Sequence, residues 1–80
     1  MAVLRLFAQA REAAGTGRDV VDAATVGDVL TEASARYGST FAALLSSCGV
    51  WLNGEPTDRA AAVGAADEVA VLPPVSGGAR

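Results

Sequence analysis

The chain has one stretch suited to a long helix, set among several short alternating segments, and that ratio restricts the fold. Thr25 is a good helix N-cap, and Asp28 three residues on supplies a weaker form of the capping box. Val26, Val29, Leu30, Ala33 and Tyr37 then fall at helical spacing as one apolar stripe, which Gly38 ends. Ala2 to Phe7 alternates as a strand, with Leu4 and Leu6 on one side and Val3, Arg5 and Phe7 on the other. Arg5 marks the second side as lying away from the deep core.

Ala8 to Ala14 reads as a short helix closed by Gly15, and Arg18 to Asp22 as a second strand antiparallel to the first. Phe41, Leu44 and Leu45 suggest a further helical turn. Cys48, Val50 and Leu52 alternate with Gly49, Trp51 and Asn53, and Asn53-Gly54 is the strongest hairpin signal in the chain. Glu55 to Thr57 starts a short return strand, Arg59 to Ala66 is a small-residue connection, and Glu68 to Leu72 is the last strand. Val69 and Val71 take one side of it, Ala70 and Leu72 the other. The expected class is α+β: a mixed sheet of about five strands with one main helix packed on one face. The other face is left for solvent or for a partner.

Eighty residues make a single small domain with a thin core. At 51% hydrophobic content it should still fold unaided. A lone Cys48 excludes an internal disulfide, and the absence of His removes the usual zinc and iron–sulfur ligand sets, so no metal and no resident cofactor is expected. All six cationic side chains are Arg and the net charge is −3, with no basic stripe, which argues against nucleic acid. Without Lys, no side-chain amine can receive an isopeptide bond. Met1 to Ala10 is not a signal peptide, and nothing approaches a membrane span; a cytoplasmic location and no membrane partner are expected. No nucleophile–base pair can be assembled, so the chain is not expected to be catalytic alone.

The ending, Pro73-Pro74-Val75-Ser76-Gly77-Gly78-Ala79-Arg80, carries the functional signal. Two prolines stiffen the exit from the last strand. Two glycines then make a thin tail that can enter a narrow channel without side chains to clash. A frayed terminus is the ordinary alternative.

Three stretches point to a family: LRLFAQAREAAG from Leu4 to Gly15, VWLNGEPTDR from Val50 to Arg59, and DEVAVLPPVSGG from Asp67 to Gly78. With the capped helix between them, the chain resembles the small subunit of molybdopterin synthase, the MoaD family of ubiquitin-like (β-grasp) sulfur carriers. The resemblance implies a β-grasp domain over residues 1–76 and a flexible tail over 77–80. It implies that Gly78 is the working residue, activated by an E1-like adenylating enzyme with ATP and converted by a sulfur donor to a thiocarboxylate, with Gly77 as its slender neighbour. It further implies a large catalytic synthase subunit, in a two-plus-two heterotetramer, which the tail enters to deliver sulfur for the molybdenum cofactor. Phe7, Arg5, Trp51, Leu72, Pro73, Pro74 and Val75 are the expected partner-binding residues.

The family pattern ends at the second Gly, whereas this chain continues with Ala79 and Arg80. They would set a terminal carboxylate roughly 7 Å further out, at about 3.3–3.6 Å per extended residue. A tail-trimming peptidase is therefore a further expected partner; the alternatives are that the two residues are not native to the protein, or that this is a relative that no longer carries sulfur, and the first of these is favoured over the second. Ala66, where Gly is more usual, predicts a slightly different turn. Rival functions are sulfur delivery to thiazole, cysteine or a peptidase-processed secondary metabolite, or a non-carrier interaction module. Cys48 reads as a buried apolar residue rather than a reactive thiol, and Asp58, Arg59, Arg11 and Glu12 as solvated charges.

Overall fold

The computed structural model describes residues 1–74. In chain order these are β1 (Ala2–Leu6), α1 (Ala8–Ala14), β2 (Arg18–Val21), α2 (Val26–Tyr37), α3 (Ser39–Leu45), β3 (Gly49–Leu52), β4 (Glu55–Pro56) and β5 (Glu68–Leu72). The strands form one five-stranded sheet in the order β2-β1-β5-β3-β4. β1 and β5 are parallel and central, and the other pairings are antiparallel.

Alternation along each strand divides the sheet into a covered and an open face. Leu4 and Leu6 of β1, Val69 and Val71 of β5, and Val21 of β2 are buried on the covered side. Val26, Val29, Leu30 and Ala33 of α2 complete that core, with Ala10 of α1 and Phe41 and Leu45 of α3. Fully burying a side chain such as Leu4 or Phe41 stabilises the fold by about 1.5–3 kcal/mol. The expected main helix, α2, shares this face with the expected short helix α1 and with α3: the turn predicted around Phe41 is a full helix, and α1 and α2 both pack against it. The Phe41 ring lies edge-on to Tyr37, with centroids 5.2 Å apart.

Local chemistry explains the boundaries. Thr25 Oγ1 accepts the Asp28 amide at 3.1 Å, as an N-cap should. Two more donors at the start of α2 find partners in the 59–61 segment: Val26 N–H donates to the Ala61 carbonyl and Gly27 N–H to that of Arg59, both at 2.9 Å. The predicted small-residue connection is therefore a backbone cap for the helix. Asn53 and Gly54 take φ values of 51° and 85°, the left-handed pair that a two-residue hairpin requires.

Asn53 also clamps this hairpin to β5, accepting the Glu68 amide at 2.9 Å and donating to Asp67 at 3.1 Å. Asp67 in turn accepts the Gly64 amide at 2.8 Å, closing the turn that holds Ala66. Ala66 has no positive φ, so no glycine is needed there. β2 is tied to α2 by Asp19, which accepts hydrogen bonds from the Tyr37 hydroxyl and from Arg36 (3.0 Å). This mixed sheet, covered on one face, is a β-grasp fold.

Candidate functional site

The open face brings together Arg5, Phe7, Trp51 and Leu72, four of the residues expected to bind a partner, and strand register explains why they meet. Arg5 on β1, Ala70 on β5 and Trp51 on β3 are consecutive cross-strand partners and form one row. Two residues further along β5, on the same face, Leu72 pairs with Gly49. Phe7 continues β1 beyond Leu6, its amide donating to the Val71 carbonyl at 3.3 Å. Phe7, Trp51 and Leu72 are 40%, 37% and 37% exposed, large apolar side chains only partly covered by their own domain. The open face reaches solvent through these three rings and chains, as the alternation predicted.

Arg5 is held in place twice. Its Nη1 donates to Glu68 at 3.3 Å, and its guanidinium lies 5.7 Å from the Phe7 ring centroid. Glu68 and Phe7 thus fix a long side chain that would otherwise sweep across the patch. Gly49, beside Leu72, has no Cβ; one would stand 3.7 Å from the Leu72 carbonyl and 3.6 Å from Trp51 Nε1, ordinary contact distances.

β5 ends at Leu72, and Pro73 (half-buried) and Pro74 (exposed) leave the sheet beside this patch. Val75, Gly77, Gly78, Ala79 and Arg80, like the 76/77 domain boundary, lie outside the described residues.

Two features bear on chemistry. Cys48 is half-buried; its thiol donates to the Leu44 carbonyl at 3.3 Å, and burial pushes its pKa upward. That setting disfavours the thiolate and matches an inert packing role. Among the described residues there is no group of three His, Cys, Asp or Glu side chains placed to hold a metal ion, and no helix is long and apolar enough to cross a membrane.

Sequence reasoning missed one grouping. Arg11, read as a solvated charge, and Arg18, read only as the start of the second strand, line a groove with Arg5 and Phe7 at the edge of the patch. The only available signal was their spacing across a strand–helix–strand connection, which has meaning only once β2 is paired to β1.

The chain was compared with known proteins. The family model described as "ThiS family" matches residues 4–78. No curated protein matches the chain. Among solved structures, SAMP1 from Haloferax volcanii is 36% identical, covering 96% of this chain and 98% of that one with a TM-score of 0.76. A putative molybdopterin converting factor, subunit 1, from Pyrococcus furiosus is 22% identical, covering 92% and 97% with a TM-score of 0.82. A chain of the Amycolatopsis orientalis BexX/CysO complex is 21% identical, covering 98% and 100% with a TM-score of 0.81. The two less identical structures show a shared fold alone. With its family match running from Leu4 to Gly78, the chain belongs to the ThiS family, the ubiquitin-like β-grasp domains of sulfur-carrier type.

Proposed function

We propose that this chain is a sulfur carrier, the small subunit of a molybdopterin synthase, and that Gly78 becomes its working terminus after cleavage on its C-terminal side. The observation that carries the reading is the span of the family match, which ends at Gly78 with Ala79 and Arg80 beyond it. The open face supports it: an apolar patch of Phe7, Trp51 and Leu72 beside the exit at Pro73 and Pro74 lets a partner grip the body and receive the tail together.

The chemistry asks little of the carrier. A Gly78 carboxylate oxygen attacks the α-phosphorus of ATP in an adenylating partner, and pyrophosphate leaves. A donor supplying sulfur at the hydrosulfide level then attacks the acyl carbon and AMP leaves, giving a thiocarboxylate. That group is a soft, largely ionised nucleophile that passes sulfur within the large subunit. Each step needs a mobile terminus and a recognisable body, with acids, bases and nucleotide supplied by partners in the cytoplasm.

The test is reconstitution with the adenylating enzyme, a sulfur donor and the large subunit. Deleting Gly77 and Gly78 with everything after them should abolish sulfur delivery. Delivery that survives the deletion would refute the carrier and leave an interaction module.

A second reading has its own support. Identity is higher to the Haloferax small archaeal modifier protein SAMP1, 36%, than to the Pyrococcus molybdopterin converting factor subunit, 22%. On that reading the activated Gly78 is transferred to amines of other proteins. ATP-dependent, mass-shifted conjugates in cells expressing the Gly78-ending chain would favour it over sulfur delivery.

A further inference from the structure

The groove lined by Arg5, Phe7, Arg11 and Arg18 lies where β1 ends, α1 begins and β2 starts. It gathers three of the six arginines of a chain whose net charge is −3. Two of them are direct cross-strand partners: Arg5 on β1 stands opposite Arg18 on β2, so both side chains leave the same face. Like charges in that relation repel and destabilise a sheet. Glu68 pairs with Arg5, but among the described residues neither Arg11 nor Arg18 has a carboxylate within ion-pair distance.

Arg11 reaches in from α1 across Gly17. A Cβ built on Gly17 would meet Arg11 Nε at 3.3 Å and Cδ at 3.4 Å, so the glycine makes room for the guanidinium stem. The loop is also fixed from below: Leu6 N–H donates to the Gly17 carbonyl at 3.0 Å, and Thr16 Oγ1 donates to the Arg18 carbonyl at 2.9 Å. Next to Phe7, Ala8 holds φ at 51°, a left-handed conformation that Ala adopts rarely and at a cost. Charge repulsion and backbone strain are thus both retained around one concavity.

We infer that this groove is a docking site for a carboxylate-bearing segment of a protein partner, seated on Arg5, Arg11 and Arg18 while the partner's apolar neighbours cover Phe7. Three planar guanidinium groups offer the forked donors that carboxylates accept in pairs. An acidic loop would relieve the Arg5–Arg18 repulsion. The groove is continuous through Phe7 with the exposed apolar face, and apolar anchors beside a charged rim are how protein interfaces are built. A long polyanion such as nucleic acid would instead meet the repulsion of the whole acidic chain. A short acidic loop lies within about 8 Å of the arginines, inside the screening length at physiological salt, and senses chiefly them. The inference rests on the carrier reading only in needing a partner.

The test is a chemical-shift titration of the full-length chain, ¹⁵N-labelled at backbone and guanidinium positions. The probes are a capped peptide of alternating Glu and Leu, inorganic phosphate, ATP and a single-stranded oligonucleotide. The peptide should give saturable shifts at Arg5, Phe7, Arg11 and Arg18 that weaken as salt rises. Arg11→Glu combined with Arg18→Glu should weaken that binding by at least about tenfold, whereas Arg59→Glu, remote from the groove, should leave it within about threefold. Absence of saturable peptide shifts in the groove would overturn the inference, as would an equal loss from Arg59→Glu. Saturation by phosphate, ATP or oligonucleotide without the peptide would also overturn it. Since no readout depends on sulfur delivery, a failure of the carrier chemistry would leave this result standing.

Discussion

Replacing Tyr37 with Phe removes one hydroxyl from the contact that ties β2 to α2, and the composition makes its effect unusually easy to read. Tyr37 is the only tyrosine, and the chain has no His or Lys, so few groups titrate in alkali. Burial, and then the hydrogen bond its hydroxyl donates to Asp19, push its pKa up to about 12. The bond from Tyr37 also holds Asp19 below the usual carboxylate range, helped by the Val20 amide at 2.8 Å.

An increase from about 10 to about 12 corresponds to about 2.7 kcal/mol at 1.36 kcal/mol per pH unit. The Asp19 side chain is 32% exposed, and screening there lowers the expected worth to about 1–2 kcal/mol. Because the folded value is raised, this stability is fully present below pH 10, where both states hold the proton. It is lost as pH climbs through 10 toward about 12, where the unfolded chain has ionised and the folded one has not. Asp19 works in the opposite sense: its value is lowered, so its contribution is present above the ordinary carboxylate pKa and fades as acid protonates the folded chain.

Urea unfolding of wild type and Tyr37→Phe should therefore show a gap of about 1–2 kcal/mol at pH 7 that closes toward pH 12. Cys48, also pushed upward by burial, contributes to both proteins and drops out of the difference. Absorbance of tyrosinate should place the native midpoint well above that of the urea-unfolded chain. Native tyrosine titrating near pH 10, or a stability gap that does not change with pH, would refute the reasoning.

Other expectations follow from single contacts. Asn53→Ala puts a Cβ residue without a local hydrogen bond at a φ of 51° and removes the clamp on Asp67 and Glu68; a cost of about 1–2 kcal/mol in urea is expected, and less for Asn53→Gly, which restores the turn but not the clamp. Trp51→Ala should change stability by only about 1 kcal/mol, because the ring is partly exposed, yet weaken binding of the partner proposed above, a large synthase subunit, by at least about tenfold, measured by calorimetry. Cys48 should react with a thiol reagent at least about tenfold more slowly in the folded chain than in urea, since burial disfavours its thiolate.

Local signals in the sequence specified much of the architecture. The Thr25 cap and the Val26 to Tyr37 stripe defined α2, Asn53-Gly54 defined the hairpin, and alternation in β1 and β5 separated Leu4 and Val69 from Arg5 and Ala70. The apolar open face followed directly, because side chains alternate with a period of two. What local signals could not specify was long-range. The parallel pairing of β1 with β5 joins residues more than sixty positions apart, and α3, with Phe41 buried, packs against both α1 and α2. Arg5, Arg11 and Arg18 converge only through the β1–β2 register. The role proposed for the glycine tail rests on the sequence alone: Gly77 and Gly78 lie outside the described residues, and that role asks only for the absence of side chains.

The central claim is that Gly78 carries sulfur. Its most direct test is intact mass spectrometry of two forms, the full chain and one ending at Gly78, after incubation with the adenylating enzyme, ATP and a sulfur donor. The account predicts that the Gly78-ending form alone gains the mass difference between sulfur and oxygen, and that alkylation of the thiocarboxylate maps the change to Gly78. No gain on either form, with an adenylating enzyme shown active on another carrier, would contradict it.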